Sequence, residues 1–134
     1  GRPGSLVMKV LIDTNRYVDF CRGDPGVTEI LGRAERIAMP FVSLAELRAG
    51  FRCGTLGRRN ESTLLRFLSS SRVQVLYPDE QTTHSYTGLF AQLRAQGTPI
   101  PTNDLWIAAL AVQHGLFLCS RDAHFDHLPQ LART

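Results

Sequence analysis

Four acidic side chains stand where the sequence pattern changes from one element to the next. They are Asp13, Glu46, Asp104 and Asp122. Carboxylate oxygens are the ligands that hard divalent cations such as Mg²⁺ and Mn²⁺ prefer. Because four carboxylates in one pocket repel one another, such a cluster predicts a bound cation, and altered carboxyl pKa values without one. These residue types point to metal-assisted hydrolysis, in which a cation polarises a phosphoryl oxygen and lowers the pKa of water.

Each acid also has an ordinary structural explanation when it is considered alone. Asp13 follows an apolar run and is typical of an Asx turn. Glu46 comes three residues after Ser43, which is the spacing of a capping box at a helix start. Asp104 heads a predicted helix, whose dipole favours an acid there, and Asp122 fits a turn. The alternatives stay open for each residue, and only the joint arrangement favours a site.

Apolar patterning divides the chain into alternating strands and helices. Short apolar runs predict strands at 7–12, 36–39, 73–77 and 116–119. Apolar side chains at three- and four-residue spacing predict helices at 15–22, 25–34, from 43 to the glycines at 54 and 57, and at 61–71, 79–96 and 103–114. Gly97 and Gly115 predict the ends of the last two helices. The tail is predicted to be a loop with a short turn.

This alternation predicts an α/β fold, with a mostly parallel central sheet of about four or five strands and helices on both faces. In such sheets, sites form outside the carboxyl ends of the strands. Asp13 and Asp122 directly follow the first and last strands, whereas Glu46 and Asp104 lie in the first turns of predicted helices. The four acids are therefore expected to face one edge of the sheet.

The charged residues are unevenly composed. The chain has 15 basic and 12 acidic residues, and all the basic ones except Lys9 are arginine, which suits bidentate contacts with phosphate. If five acids, Asp126 among them, gather in one pocket, the other seven face 15 basic residues. An acidic pocket in a basic surface suits a metal-using nuclease. Four arginines are candidate phosphate contacts, with a solvated helix face as the alternative: Arg48, Arg52, Arg58 and Arg59.

Composition argues against several other classes of protein. No apolar run approaches the roughly 18 residues that span a bilayer. The three cysteines are Cys21, Cys53 and Cys119. Their odd number and wide spacing predict free thiols in or near the core and a reducing cytoplasm. The four histidines are His84, His114, His124 and His127. Their spacing does not suit a zinc site, so they are expected to be exposed or in loops.

Four segments of the chain carry a resemblance to a known family. They are VLIDTN at 10–15, SLAELRAG at 43–50, PTNDLWIAALAV at 101–112 and CSRDAHFDHL at 119–128. In this order they resemble the motifs of PIN-domain nucleases, and within that family those of VapC-type toxins from VapBC toxin–antitoxin modules. The match spans nearly the whole chain, from about Met8 to Leu131.

The resemblance implies both an activity and site residues. It implies a PIN-like fold and a Mg²⁺- or Mn²⁺-dependent endoribonuclease, in which the metal ligands and catalytic acids are Asp13, Glu46, Asp104 and Asp122. It assigns site-orienting roles to Asn15, Ser120 and Asp126. We expect residues 8–134 to form a single nuclease domain. Residues 1–7 are expected to be an added or disordered segment outside that domain.

The resemblance also implies partners. Members of the family usually form homodimers and are held inactive by a cognate antitoxin, here a VapB-like protein. An arginine of that partner is expected to enter the acidic pocket and pair with its carboxylates. A partner helix is expected in apolar grooves near a set of side chains that core burial explains equally well, namely Tyr17, Val18, Phe20, Leu31, Phe51 and Leu65.

Other functions fit the sequence less well. A haloacid-dehalogenase-type phosphatase needs a second acid two residues after the first, where this chain has Asn15. That class and response-regulator receivers also need a lysine late in the sheet, and Lys9 is the only lysine. The alternative from another class is a non-catalytic module that binds RNA or a partner on the same scaffold. A non-catalytic domain does not require all four acids, so their presence favours the nuclease.

Overall fold

The computed structural model describes residues 8–134, in which strands and helices alternate. The strands are β1 (Lys9–Ile12), β2 (Arg36–Pro40), β3 (Val73–Leu76) and β4 (Phe117–Cys119). The helices are α1 (Thr14–Cys21), α2 (Pro25–Arg33), α3 (Phe41–Cys53), α4 (Gly57–Leu68), α5 (Glu80–Gln96) and α6 (Thr102–His114). A 3₁₀ turn at Ala123–His127 follows β4. The segment 1–7, which we expected to lie outside the domain, is outside the described residues.

The four strands form one parallel sheet in the order β3-β2-β1-β4. In its register Ile12 pairs with Cys119, so β1 and β4 reach the same edge at their carboxyl ends. β1 has a partner strand on each side and helices on both faces. This position explains its continuous apolar run, because Val10, Leu11 and Ile12 are all inaccessible to solvent. The predicted parallel α/β fold is confirmed.

The core lies in two layers, one on each face of the sheet. Successive side chains of a strand point to opposite faces, and β1 therefore contributes to both layers. Leu11 packs with Leu89 of α5 and Leu110 of α6. Val10 and Ile12 belong to the layer that α1 to α4 cover. The helices on both faces hold the carboxyl edge of the sheet in a fixed position.

The start of α3 differs from the prediction. The helix begins at Phe41 with Pro40 at its N-cap and without a side-chain capping bond, so the capping box expected from Ser43 and Glu46 is wrong. Pro40 has a φ of −68° at the end of β2, and this fixed angle leads the chain directly into the helix. Ser43 is consequently fully buried inside the first turn. The carboxyl of Glu46 is left available for another role.

The start of α4 also lies earlier than predicted, at Gly57. The sequence pattern suggested that Gly54 and Gly57 both separate two helices. Gly54 does follow α3, but Gly57 is the first residue of α4. A Cβ atom at Gly57 would lie 2.6 Å from the carbonyl oxygen of Phe51, so glycine permits a close approach between α3 and α4. Gly97 and Gly115, with left-handed φ angles of 71° and 63°, end α5 and α6 as predicted.

The cysteines are free, but their burial is mixed. Cys119 is buried at the end of β4, whereas Cys21 and Cys53 are exposed at the last residues of α1 and α3. The expectation that all three lie in or near the core is therefore wrong for these two, whose helices end at the protein surface. Within residues 8–134, no helix combines the length and the apolar character needed to cross a bilayer.

Candidate active site

The four acids of the sequence pattern come from four different elements at the carboxyl edge of the sheet. Asp13 is the N-cap of α1 directly after β1. Asp122 follows β4 and is the N-cap of the 3₁₀ turn. Glu46 lies in α3, and Asp104 lies in the first turn of α6. The acids are close enough for the charges of Asp104 and Asp122 to raise the pKa of Asp13, so the tertiary structure does bring them together.

Asp13 is the most buried of these acids, with only 6% of its surface exposed. Its backbone N–H donates to the carbonyl oxygen of Cys119 at 3.2 Å, which extends the pairing of β1 with β4. Its Oδ1 atom accepts a hydrogen bond from the backbone N–H of Arg16 at 2.9 Å. Burial raises the pKa of the Asp13 carboxyl, whereas contacts with the Ser120 hydroxyl and the Arg16 N–H act in the opposite direction.

Glu46 lies in α3 and is exposed. Partial burial of its carboxyl is the main reason why the pKa of Glu46 is raised, and repulsion from Asp104 and Asp13 adds to this effect. Contacts with the side chains of Thr14 and Asn103 lower the pKa. Glu46 is thus a carboxylate within electrostatic reach of both acids and open to water.

Asp104 and Asp122 share a partner that the sequence reasoning had not placed in the site, His124. The Nδ1 atom of His124 lies 2.7 Å from Oδ2 of Asp104 and 3.1 Å from Oδ1 of Asp122. Burial raises the pKa of Asp104, the hydrogen bond with His124 lowers it, and repulsion from Asp122 raises it. The hydrogen bond with Asp104 is the main reason why the pKa of His124 is raised. One ligand atom from each of these three side chains lies within 4.8 Å of the other two.

The turn after β4 holds Asp122 in place through local hydrogen bonds. The backbone N–H of Asp122 donates to the hydroxyl of Ser120 at 3.0 Å. Oδ1 of Asp122 accepts from the backbone N–H of His124 at 2.9 Å. Ser120 is buried and also contacts Asp13. Its small side chain therefore connects two of the acids, and its site-orienting role stays a prediction.

The other two residues with expected site-orienting roles lie differently. Asn15 is exposed in the first turn of α1, two residues after Asp13. Asp126 is not gathered into the cluster of acids. Its side chain is 68% exposed, and it forms an ion pair with Arg133 at 2.5 Å.

The four arginines considered for phosphate contacts are on α3 and α4. Arg48 is engaged with Glu61 of α4, to which its guanidinium donates two hydrogen bonds at 2.9 and 3.1 Å. The other three are exposed, namely Arg52, Arg58 and Arg59. Contact with RNA stays a prediction for all four, and Arg48 would have to leave an intramolecular partner to make it.

Sequence reasoning missed two residues beside the acids. His124 was considered only as a possible zinc ligand, although its position two residues after Asp122 was a usable signal. Arg121 forms a bidentate pair with Asp19 of α1, at 2.7 and 2.9 Å, across 102 residues of sequence. Hydrogen bonds from Arg121 are the main cause that lowers the pKa of Asp19 to about 2. No local pattern predicts this pair, which ties the turn after β4 to α1.

The donor set fits a hard divalent cation. The carboxyl pKa values of Asp13, Glu46 and Asp104 are all raised, with burial as the first cause of each. Repulsion among the acids adds to the effect, so ionising them all is costly in the protein alone. A cation among these oxygens would relieve both costs.

The chain matches a known family model and is similar to proteins named as ribonucleases. A family model described as PIN domain matches residues 10–131. Ribonuclease VapC1 of Haemophilus influenzae (strain R2866) is 34% identical over 112 residues, which cover 78% of this chain and 80% of the relative. Ribonuclease VapC4 of Mycobacterium tuberculosis is 31% identical over 127 residues, which cover 93% of this chain and 95% of the relative.

Solved structures of similar chains support the same assignment. The structure of VapBC-1 from nontypeable Haemophilus influenzae matches with a TM-score of 0.83 and 28% identity, covering 95% of this chain and 97% of that chain. VapBC-5 from Mycobacterium tuberculosis matches with a TM-score of 0.70 and 26% identity, covering 96% of this chain and 97% of that chain. It is described as a member of the VapBC family of toxin–antitoxin systems. From its sequence motifs, its parallel sheet and these matches, the chain belongs to the PIN-domain family.

Proposed function

We propose that this chain is a Mg²⁺- or Mn²⁺-dependent endoribonuclease that acts as the toxin of a toxin–antitoxin pair. The observation that carries the proposal is the gathering of Asp13, Glu46, Asp104 and Asp122 at the carboxyl edge of a PIN-domain sheet. The names of the relatives, Ribonuclease VapC1 and Ribonuclease VapC4, support RNA as the substrate.

Asp13, Asp104 and Asp122 would hold the cation, with Glu46 completing the ligand set. When bound, the cation polarises a phosphoryl oxygen, lowers the pKa of water and stabilises charge on the leaving 3′ oxygen. The surrounding residues keep the acids in position. The Arg16 N–H holds the Asp13 carboxylate, and the Ser120 hydroxyl holds the backbone of Asp122.

Glu46 is the residue best placed to move a proton. It is the one exposed acid of the four, so water reaches its carboxyl, and it lies within electrostatic reach of Asp13 and Asp104. Its carboxylate accepts a proton from the attacking water, or Asp122 does so in its place. The water oxygen bonds to phosphorus while the bond from phosphorus to the 3′ oxygen breaks. The leaving 3′ oxygen takes up a proton from solvent, so the products carry a 5′-phosphate and a 3′-hydroxyl.

The catalytic test compares Asp13→Asn with the wild-type chain on single-stranded RNA. We expect Asp13→Asn to abolish cleavage while the circular dichroism spectrum stays unchanged, because asparagine keeps the helix cap but loses the charge. EDTA should abolish wild-type cleavage as well. A matched control is Glu29→Gln, which neutralises a 63% exposed side chain on α2. Metal-dependent cleavage retained by Asp13→Asn would favour the other reading, a non-catalytic binding module with a contaminating nuclease.

The antitoxin partner belongs to the same proposal. Structural relatives are described as VapBC toxin–antitoxin systems. This chain has a groove between α1, α3 and α4 whose lining is both apolar and polar, which suits an amphipathic helix. Its lining includes Tyr17, Val18 and Phe51, as expected, together with the exposed Leu56. Phe20 and Leu31 line a separate depression, and Leu65 lies outside this groove. The homodimer and the arginine expected to enter the acidic pocket stay predictions.

A further inference from the structure

One side chain beside the acids, that of His124, offers a nitrogen atom as a possible metal ligand, which the four carboxylates do not. His124 directs a single ring nitrogen, Nδ1, toward oxygens of both Asp104 and Asp122, at 2.7 and 3.1 Å. The imidazole itself is 47% exposed and stands at the rim of the site. In the metal-free protein, this nitrogen thus lies between two carboxylate oxygens and forms a hydrogen bond with one of them.

The spacing of these three atoms fits a metal shell. Mg²⁺ holds ligands at about 2.0–2.1 Å in an octahedral shell, so that adjacent ligand atoms lie about 2.9 Å apart. The distances from Nδ1 of His124 to the two carboxylate oxygens, 2.7 and 3.1 Å, bracket that value. The ligand atoms can therefore serve as neighbouring vertices with little movement.

The backbone presents the imidazole in this position. His124 lies in the 3₁₀ turn Ala123–His127, and its backbone N–H donates to the Asp122 carboxylate at 2.9 Å. The next residue, Phe125, is 1% exposed and anchors the turn in the core. Asp104 approaches from α6, 20 residues earlier in the chain. Two separate elements therefore hold the three side chains together.

We propose that His124 is a metal ligand of this chain, contributing Nδ1 to the cation that Asp104 and Asp122 hold. The inference deepens the proposed function and rests on its metal site. An imidazole ligand shifts the preference of the site from Mg²⁺ toward first-row transition ions such as Mn²⁺, because Mg²⁺ prefers oxygen whereas imidazole suits transition metals.

The test uses Mn²⁺ itself as a spectroscopic probe of the full chain. Electron spin-echo envelope modulation of the Mn²⁺-loaded wild type should show coupling to a coordinated imidazole nitrogen. His124→Ala should abolish that coupling and raise the Kd for Mn²⁺ about tenfold, the scale seen when groups around a bound metal are removed. The Kd for Mg²⁺ should rise less, so the preference for Mn²⁺ over Mg²⁺ falls.

Matched variants make the outcomes separable. His127→Ala removes an exposed histidine from the same turn and should keep the imidazole coupling. His124→Asn keeps a hydrogen-bond donor near the Nδ1 position, and it replaces His124→Ala if that variant does not fold. Mn²⁺ bound without imidazole coupling would overturn the role of His124 and leave the proposed nuclease intact. If the folded wild type binds Mg²⁺ but no Mn²⁺, only the role of His124 is overturned. If it binds neither cation, the proposed metal-dependent function is overturned as well.

Discussion

Asp13 shows how one side chain can stabilise a helix and still weaken the folded state. Its carboxylate caps α1, but burial raises its pKa, and so does repulsion from Asp122 and Asp104. A folded-state pKa above the unfolded value gives a stabilising contribution that is complete below the unfolded pKa of about 3.9. That contribution is lost as the pH rises through the folded pKa. At neutral pH, the ionised carboxyl therefore lowers the stability of the metal-free protein.

At this residue, Asp13→Asn should raise the Tm of the metal-free protein by a few degrees at neutral pH. Asparagine caps a helix as well as aspartate does, so the gain comes from removing a buried charge. The gain should shrink near pH 4, where the wild-type carboxyl takes up a proton. Thermal melts in EDTA at the two pH values measure it, with Glu29→Gln as the control. A lower Tm at neutral pH would mean that the hydrogen bonds to the carboxylate outweigh its burial.

At the scale of elements, the turn that carries Asp122 is held by a neighbouring segment of the chain. The backbone of Leu118 in β4 bonds with Ala132 and Thr134, so residues 132–134 run beside β4. Arg133 then reaches over the turn. Its Nη2 atom donates to the carbonyl oxygens of Ser120 at 2.9 Å and of Asp122 at 3.3 Å. The position of an acidic side chain thus depends on a distant arginine.

Arg133→Met should loosen this turn. The change keeps a long apolar side chain over Phe125, whose ring centre lies 5.9 Å from the guanidinium, but it removes the contacts with the carbonyl oxygens. We expect the free energy of unfolding to fall by about 1–3 kcal/mol and the Kd for Mn²⁺ to rise. Urea denaturation and Mn²⁺ titration measure the two effects.

The matched control for this change is Asp126→Asn, which breaks only the exposed ion pair with Arg133. Such a pair contributes about 0–1 kcal/mol, so this variant should keep nearly all of its stability and metal affinity. If Asp126→Asn costs as much as Arg133→Met, the arginine acts through the ion pair and not through the carbonyl groups.

At the scale of the whole molecule, one face of the sheet carries the groove proposed for a partner helix. On the face that α1 to α4 cover, the groove exposes apolar side chains, and Leu56 on its rim is 54% exposed. Leu65 on α4 is similarly exposed, at 52%, but does not line the groove. Substituting each leucine in turn therefore distinguishes docking into the groove from nonspecific hydrophobic association with this face.

Leu56→Glu should greatly reduce co-purification of a co-expressed VapB-like antitoxin, because a charge in the groove is costly to bury. Leu65→Glu should leave co-purification unchanged. Metal-dependent RNA cleavage should persist in both variants. Loss of the partner in Leu65→Glu alone would place the interface outside the groove.

Local patterns in the sequence were sufficient for the order of the elements and the type of sheet. The apolar run of β1 and the glycines at the ends of α5 and α6 are each recognisable within a few consecutive residues. The prediction was wrong where the residue types fitted two different helix starts. Gly57 fits a helix break as well as a helix start, and its contact with the carbonyl oxygen of Phe51 depends on how α3 and α4 pack. Ser43 and Glu46 fit a capping box, but Pro40, three residues before Ser43, is the N-cap of α3.

The sequence by itself determined that Asp13 and Asp122 follow strand ends, since position after a strand is a local property. It also determined the parallel sheet, because strands alternating with helices permit few other arrangements. Only the tertiary structure decided that His124 joins Asp104 and Asp122, that Asp126 turns instead to Arg133, and which apolar side chains line a groove. Those contacts join elements whose packing sets side-chain distances, and no periodicity along the chain encodes a distance across the fold.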